Sequence, residues 1–103
     1  MVFQLGSTMM DAFVLAIVRE EDTYGYAISQ RIKKVVDLKE STLYPVLRRL
    51  QEAHYLETYD QIYQGRNRKY YKITPEGVEQ YQFYAKEWEE CKILVDGILK
   101  GGD

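Results

Sequence analysis

The chain has one cysteine, Cys91, and one histidine, His54, among 103 residues. A lone thiol closes no intrachain disulfide, and one cysteine with one histidine makes no zinc cluster. The same scarcity leaves no Cys/His pair or Ser/His/Asp set for nucleophilic catalysis, because His54 follows a helix end and reads as a surface or capping residue. Gly6, Gly25, Gly65 and Gly77 compose no phosphate-binding loop. Neither an enzyme nor a cofactor is expected. Long apolar runs are missing too. Residues 13–18 are far too few to span a bilayer, and no basic lead-in or small-residue cleavage site accompanies them. A cytoplasmic protein without membrane contact is expected.

What remains is the composition of one compact domain. Tyrosine is abundant, with 10 residues, and its apolar ring with a polar tip suits interfaces and grooves. The net charge of −2 conceals a division. Residues 31–72 hold ten basic side chains against five acidic ones, leaving the flanks strongly acidic. A basic middle between acidic flanks predicts one face for a polyanion and a separate module that does not bind it.

Apolar periodicity predicts a first helix over residues 9–19, from Met10, Phe13, Val14, Ile17 and Val18. A second follows over 24–36, capped by Asp22 or Thr23, with Ile28, Ile32 and Val35 as its buried stripe. A third spans about 41–53, where Leu43, Val46, Leu47 and Leu50 share one face. Ser41 and Thr42 are its expected caps, with Pro45 in the first turn. Residues 55–63 and 69–74 read as two strands joined by the polar loop 64–68. Thr74-Pro75-Glu76 then starts a last helix with a cap, a proline at the first helical position and an acid at the positive dipole end. It runs to about Lys100 and stops at Gly101 and Gly102. Tyr81, Tyr84, Trp88, Cys91, Val95 and Ile98 recur along it as a heptad seam that asks for a partner helix.

The predicted architecture is mainly α (α+β): a winged helix-turn-helix domain over residues 1–74 and a long C-terminal dimerisation helix over 75–103. The third helix leaves Ser41, Thr42, Tyr44, Pro45, Arg48 and Arg49 outside its apolar stripe. Small hydroxyls approach bases and phosphates closely, and arginine bonds guanine bidentately or holds a phosphate. Gly65, Arg66, Arg68 and Lys69 form a basic hairpin tip suited to the backbone or the minor groove. Tyr70 and Tyr71 point to opposite faces of their strand, so one of them packs inward. Trp88 reads as an interface anchor, or as the wall of a cavity for flat aromatic ligands, with Met10, Phe13 and Tyr84 as further walls. Cys91, among glutamates, reads as a buried filler.

Three blocks carry a resemblance. They are Thr23-Tyr24-Gly25-Tyr26-Ala27-Ile28, then Ser41-Thr42-Leu43-Tyr44-Pro45-Val46-Leu47-Arg48-Arg49-Leu50, then the run from Gly65-Arg66-Asn67-Arg68-Lys69 to Thr74-Pro75-Glu76-Gly77. Together they resemble PadR-family transcriptional regulators, in the compact branch with a single C-terminal helix. The resemblance implies a homodimer built by the first and last helices, here Phe13 and Ile17 with the heptad seam. It implies a double-stranded, pseudo-palindromic operator, repression, and release by a small aromatic or phenolic effector near Trp88. The usual glutamate and glycine at the end of the recognition helix are replaced by Gln51 and Ala53-His54, which alters the helix stop. The alternative is a winged-helix adaptor that binds protein without specific DNA contacts; the basic wing argues against it.

Overall fold

A computed structural model describes residues 7–101, in the order α1 (Ser7–Glu20), β1 (Thr23–Tyr24), α2 (Gly25–Lys33), α3 (Glu40–Glu52), β2 (Leu56–Tyr63), β3 (Arg66–Ile73) and α4 (Pro75–Leu99). The expected terminator Gly102 lies outside the described residues, while Gly101 takes the left-handed φ of 84° just past α4. The three strands form one antiparallel sheet in the order β1-β3-β2. Val14, Leu15, Ile28, Leu43, Leu47 and Leu56 are fully buried where α1, α2, α3 and the sheet meet.

Several local expectations are corrected. Thr23 does not cap α2. It pairs with Tyr71, and Tyr24 with Tyr70, as the short strand β1. Tyr24 is the cap residue, without a side-chain cap bond. The helix closes at Lys33, and Val35 and Val36 turn on the Ile32 carbonyl at 2.9 and 3.0 Å. Val35 is therefore 70% exposed, and Leu38 takes the buried place expected of it. α3 begins one residue early, with Lys39 as its cap residue. Ser41 and Thr42 thus sit inside the first turn, and Pro45 falls in the second turn, within the helix. Its missing N–H leaves the Ser41 carbonyl without an intrahelical partner.

The C-terminus of α3 is a Schellman closure. The Tyr55 N–H donates to the Leu50 carbonyl and the His54 N–H to the Gln51 carbonyl, both at 3.0 Å. His54 takes a φ of 66°, in the left-handed position where glycine is usual. Its carbonyl accepts the Thr74 hydroxyl at 2.6 Å, and Thr74 Oγ1 in turn accepts the Gly77 N–H at 2.9 Å. The stop of α3 and the start of α4 are therefore one hydrogen-bonded joint. Gly77 is required there, because a Cβ would collide with the Tyr55 carbonyl and lie 2.7 Å from Ile73 Cγ1.

The hairpin is longer and tighter than expected. Only Gln64 and Gly65 form its turn, with φ of 53° and 77°, the two positive values of a type I′ turn. Arg66, Asn67 and Arg68, expected in a loop, pair as strand residues with Tyr63, Ile62 and Gln61.

Candidate nucleic-acid interface

α3 presents Ser41, Thr42, Tyr44, Pro45, Arg48 and Arg49 as exposed residues, opposite the buried Leu43, Val46, Leu47 and Leu50. Tyr44 is not a free surface ring. It lies against Gly25, where an added Cβ would meet Tyr44 Cε1 at 3.0 Å and its hydroxyl at 3.2 Å. The glycine that opens α2 thus makes room for a ring on α3. Tyr71 of β3 is buried nearby; burial raises its phenol pKa first, and proximity to Tyr44 adds to this while Arg48 opposes it. Tyr44, Arg48 and Tyr71 therefore form one neighbourhood between α3 and the wing.

Strand alternation divides the basic wing residues. Lys69 shares the face of Tyr71, its ammonium 5.7 Å from that ring. Arg68 points the other way, its guanidinium 4.6 Å from the Tyr24 ring centre and 5.4 Å from that of Tyr63. Tyr24, Tyr70 and Tyr59 stand side by side across the three strands, with ring centres 5.5 and 5.7 Å apart. This tyrosine row explains part of the composition: it stiffens a wing too thin for a core of its own. Arg66 and Gly65 are at the exposed tip. A groove of about 210 Å³ runs between α3 and the wing, lined by Tyr24, Gly25, Tyr26, Tyr44, Arg68, Lys69 and Tyr71.

Arg49 is placed differently from Arg48. Its guanidinium forms an ion pair with Asp11 of α1, a residue only 8% exposed. One residue along a helix is a rotation of about 100°, enough to turn Arg49 from the outer face toward α1.

On the far side, α1 and α4 flank an apolar groove of about 650 Å³ that includes Phe13, Tyr84 and Trp88 from the expected set. Met10 is elsewhere, in a cavity of about 660 Å³ beside Leu38, Thr42 and Arg49, and Met9 occupies the place expected of it. Val35, Val36 and Tyr81 also line the groove. The two valines have no signal in the helical pattern, which assigns Val35 to the core. Of the expected seam, Cys91 is buried within the chain, Tyr81, Tyr84, Trp88 and Val95 are half-buried like Phe13 and Ile17, and Ile98 is 82% exposed. Phe83, Ile93, Leu94 and Leu99 are exposed on α4 as well. Among the described residues no helix is long and apolar enough to cross a membrane, and no cluster of metal-binding side chains occurs.

Residues 14–82 match the family described as "Transcriptional regulator PadR-like family". A protein of Streptococcus mutans UA159 of known crystal structure is 45% identical, with 100% of this chain and 97% of that one covered and a TM-score of 0.91. A PadR family transcription regulator from Clostridium difficile R20291 is 29% identical over 87% of this chain and 97% of that one, with a TM-score of 0.80. Bacillus subtilis PadR, solved in complex with operator DNA, is 21% identical over 75% of this chain and 45% of that one; its TM-score of 0.68 is a likeness of fold alone.

Proposed function

Since the chain belongs to the PadR-like family of transcriptional regulators, we propose that it represses transcription as a homodimer on a pseudo-palindromic operator and is released by a small aromatic ligand. It is a DNA-binding regulator and not an enzyme. The observation that carries the proposal is the pairing of an exposed polar α3 face with a basic hairpin beside it. In this reading Ser41, Thr42, Tyr44 and Arg48 enter the major groove, while Arg66 and Lys69 hold the phosphate backbone. Arg68 is held by its tyrosine partners, and Arg49 by Asp11, so both support the contacting residues. Residues 1–74 bind DNA and residues 75–103 form the dimerisation arm. Two copies joined through α1 and α4 would place their α3 helices roughly 34 Å apart, one turn of duplex. Acting on DNA, the regulator works in the cytoplasm.

The exposed apolar row Phe83, Leu94 and Ile98 supports the dimer, since a single chain leaves it in water. The groove beside Trp88 supports an aromatic or phenolic effector, because its lining is almost wholly apolar.

Fluorescence anisotropy with the DNA upstream of its own gene tests the reading. Arg48→Ala is expected to lower specific affinity. The Arg66→Ala/Lys69→Ala pair is expected to weaken binding to all sequences and to flatten the slope of log K against log salt by about 0.9 for each phosphate no longer neutralised. An unchanged slope would falsify the wing assignment. Absence of binding to any fragment at modest salt would leave the adaptor reading.

A further inference from the structure

Asp11 is a carboxylate nearly removed from water at the meeting of three helices. Its Oδ1 accepts the Arg49 Nη2 of α3, and its Oδ2 accepts the Tyr84 hydroxyl of α4 at 3.4 Å. Each oxygen thus serves a different helix. Tyr84 belongs at the same time to the apolar groove, where its ring stands with Phe13 and Trp88. Arg49 follows Arg48 directly on α3. One carboxylate on α1 therefore joins the groove wall to the helix proposed to meet DNA.

Asp11 is the buried member of this pair and Arg49 stays half in water, so the desolvation falls mainly on the carboxylate, which needs its donors to offset it. Burial raises the pKa of Asp11 even against the pull of Arg49 and the two hydrogen bonds. The Tyr84 phenol is raised above its ordinary value, first by burial; a hydrogen bond from Gln80 opposes this, and Asp11 and Tyr55 add to it, so the hydroxyl stays protonated and remains a donor. The carboxylate is served by both donors, so loss of one leaves an oxygen to be satisfied by water or by a shift of the carboxylate itself.

We propose that Asp11 is a positioning residue that sets α3 through Arg49 and senses occupancy of the α1–α4 groove through Tyr84. With the groove empty, Oδ1 holds Arg49 of α3 and Oδ2 keeps a long contact with the Tyr84 hydroxyl, one that a small shift of the ring breaks. An aromatic guest that shifts the Tyr84 ring draws its hydroxyl off Oδ2. The carboxylate then follows Arg49 or is rehydrated, and α3 changes its seat on α1. The inference rests on the proposed effector groove, and its test needs no DNA, so it can fail while operator binding holds.

The probe is 8-anilinonaphthalene-1-sulfonate, whose entry into the groove is read by energy transfer from Trp88. Amide hydrogen exchange reports α3. In the wild-type chain, saturating dye is expected to change exchange of the α3 amides by about fivefold or more, the lower end of ordinary coupling between sites. In Tyr84→Phe, which keeps the ring and removes the hydroxyl, the dye is expected to bind with similar affinity and leave α3 exchange unchanged. Asp11→Asn is expected to uncouple the sites in the same way. An equal α3 response in Tyr84→Phe overturns the proposal. So does a wild-type α3 that ignores bound dye, or a dye that never enters the groove.

Discussion

Replacing Gly25 by alanine separates folding from DNA recognition. Gly25 is the first residue of α2, so a methyl group there meets no backbone strain and shortens the list of unfolded conformations. The only crowding is with Tyr44, whose Cε1, hydroxyl oxygen and Cζ would lie 3.0, 3.2 and 3.4 Å from the new Cβ. Ordinary carbon contacts are roughly 3.5–4.0 Å, so the ring must retreat by about half an ångström. Because Tyr44 is 45% exposed, it can swing outward at little cost. The balance in stability should therefore lie within about 1 kcal/mol of wild type. Recognition should suffer more. A displaced hydroxyl forfeits about 1 kcal/mol per half-site. Over two half-sites that is about 2 kcal/mol, or roughly a thirtyfold loss of operator affinity. Anisotropy titration of Gly25→Ala, Tyr44→Ala and the double variant measures it, alongside thermal melting. Gly25→Ala binding within about twofold of wild type, or full additivity of the two substitutions, would refute a Tyr44 contact set by Gly25, since residues acting through one contact are not additive.

Three further outcomes follow from the same structure. His54→Gly should relieve the left-handed strain at the end of α3 and stabilise the chain by about 1 kcal/mol, raising Tm by roughly 4–8 °C in a domain of this size; a lower Tm would deny the Schellman role. Asp11 should make stability pH-dependent: its folded pKa is raised, so between the ordinary 3.8 and that higher value the folded chain holds a proton that the unfolded chain has released. That contribution is complete below 3.8 and is lost as pH rises through the folded pKa, so denaturant titrations should show wild type losing stability relative to Asp11→Asn across this window, and a gain there would reverse the sign. Leu94→Asp/Ile98→Asp should yield a lone subunit of unchanged helix content in sedimentation velocity; a persisting dimer would place the interface elsewhere.

Much of this fold is legible because its helices are amphipathic and its last helix announces itself at Thr74-Pro75-Glu76. The periodicity identifies which residues of α3 are buried, and Thr74 caps α4 as its side chain demands. What stays hidden depends on partners distant in the chain. β1 is only two residues; Thr23 and Tyr24 favour a strand, but a run so short becomes one only because Tyr70 and Tyr71 are beside it. Arg66, Asn67 and Arg68 have little strand preference of their own, and pairing with β2 decides their state. The site residues that the structure places elsewhere share a cause as well. Met9 for Met10 is a shift of one helical position, and the same step separates Arg49 from Arg48. Val35 reads as inward only when the stripe is carried past the point where α2 ends.

These displacements bear on how the two halves of the molecule communicate. A basic residue on α3, the proposed recognition helix, is easily read as one more hand on the DNA. Its pairing with a buried acid of α1 gives it a different office. The wing shows the same division, since Arg68 is clasped by Tyr24 and Tyr63 while Arg66 at the tip is exposed. In each pair one cation is tied to a partner within the chain, Arg49 to Asp11 and Arg68 to two tyrosine rings, although Arg49 keeps half its side chain in water. In the proposed complex the outward charges would supply affinity, which salt screens. The tied ones would fix the angle and spacing at which those charges are offered, and salt should touch that less, because partly buried pairs are screened weakly. On this reading the regulator would lose DNA without losing positive charge, since a shift of the tied cations would turn the outward ones away from the phosphates they are proposed to meet.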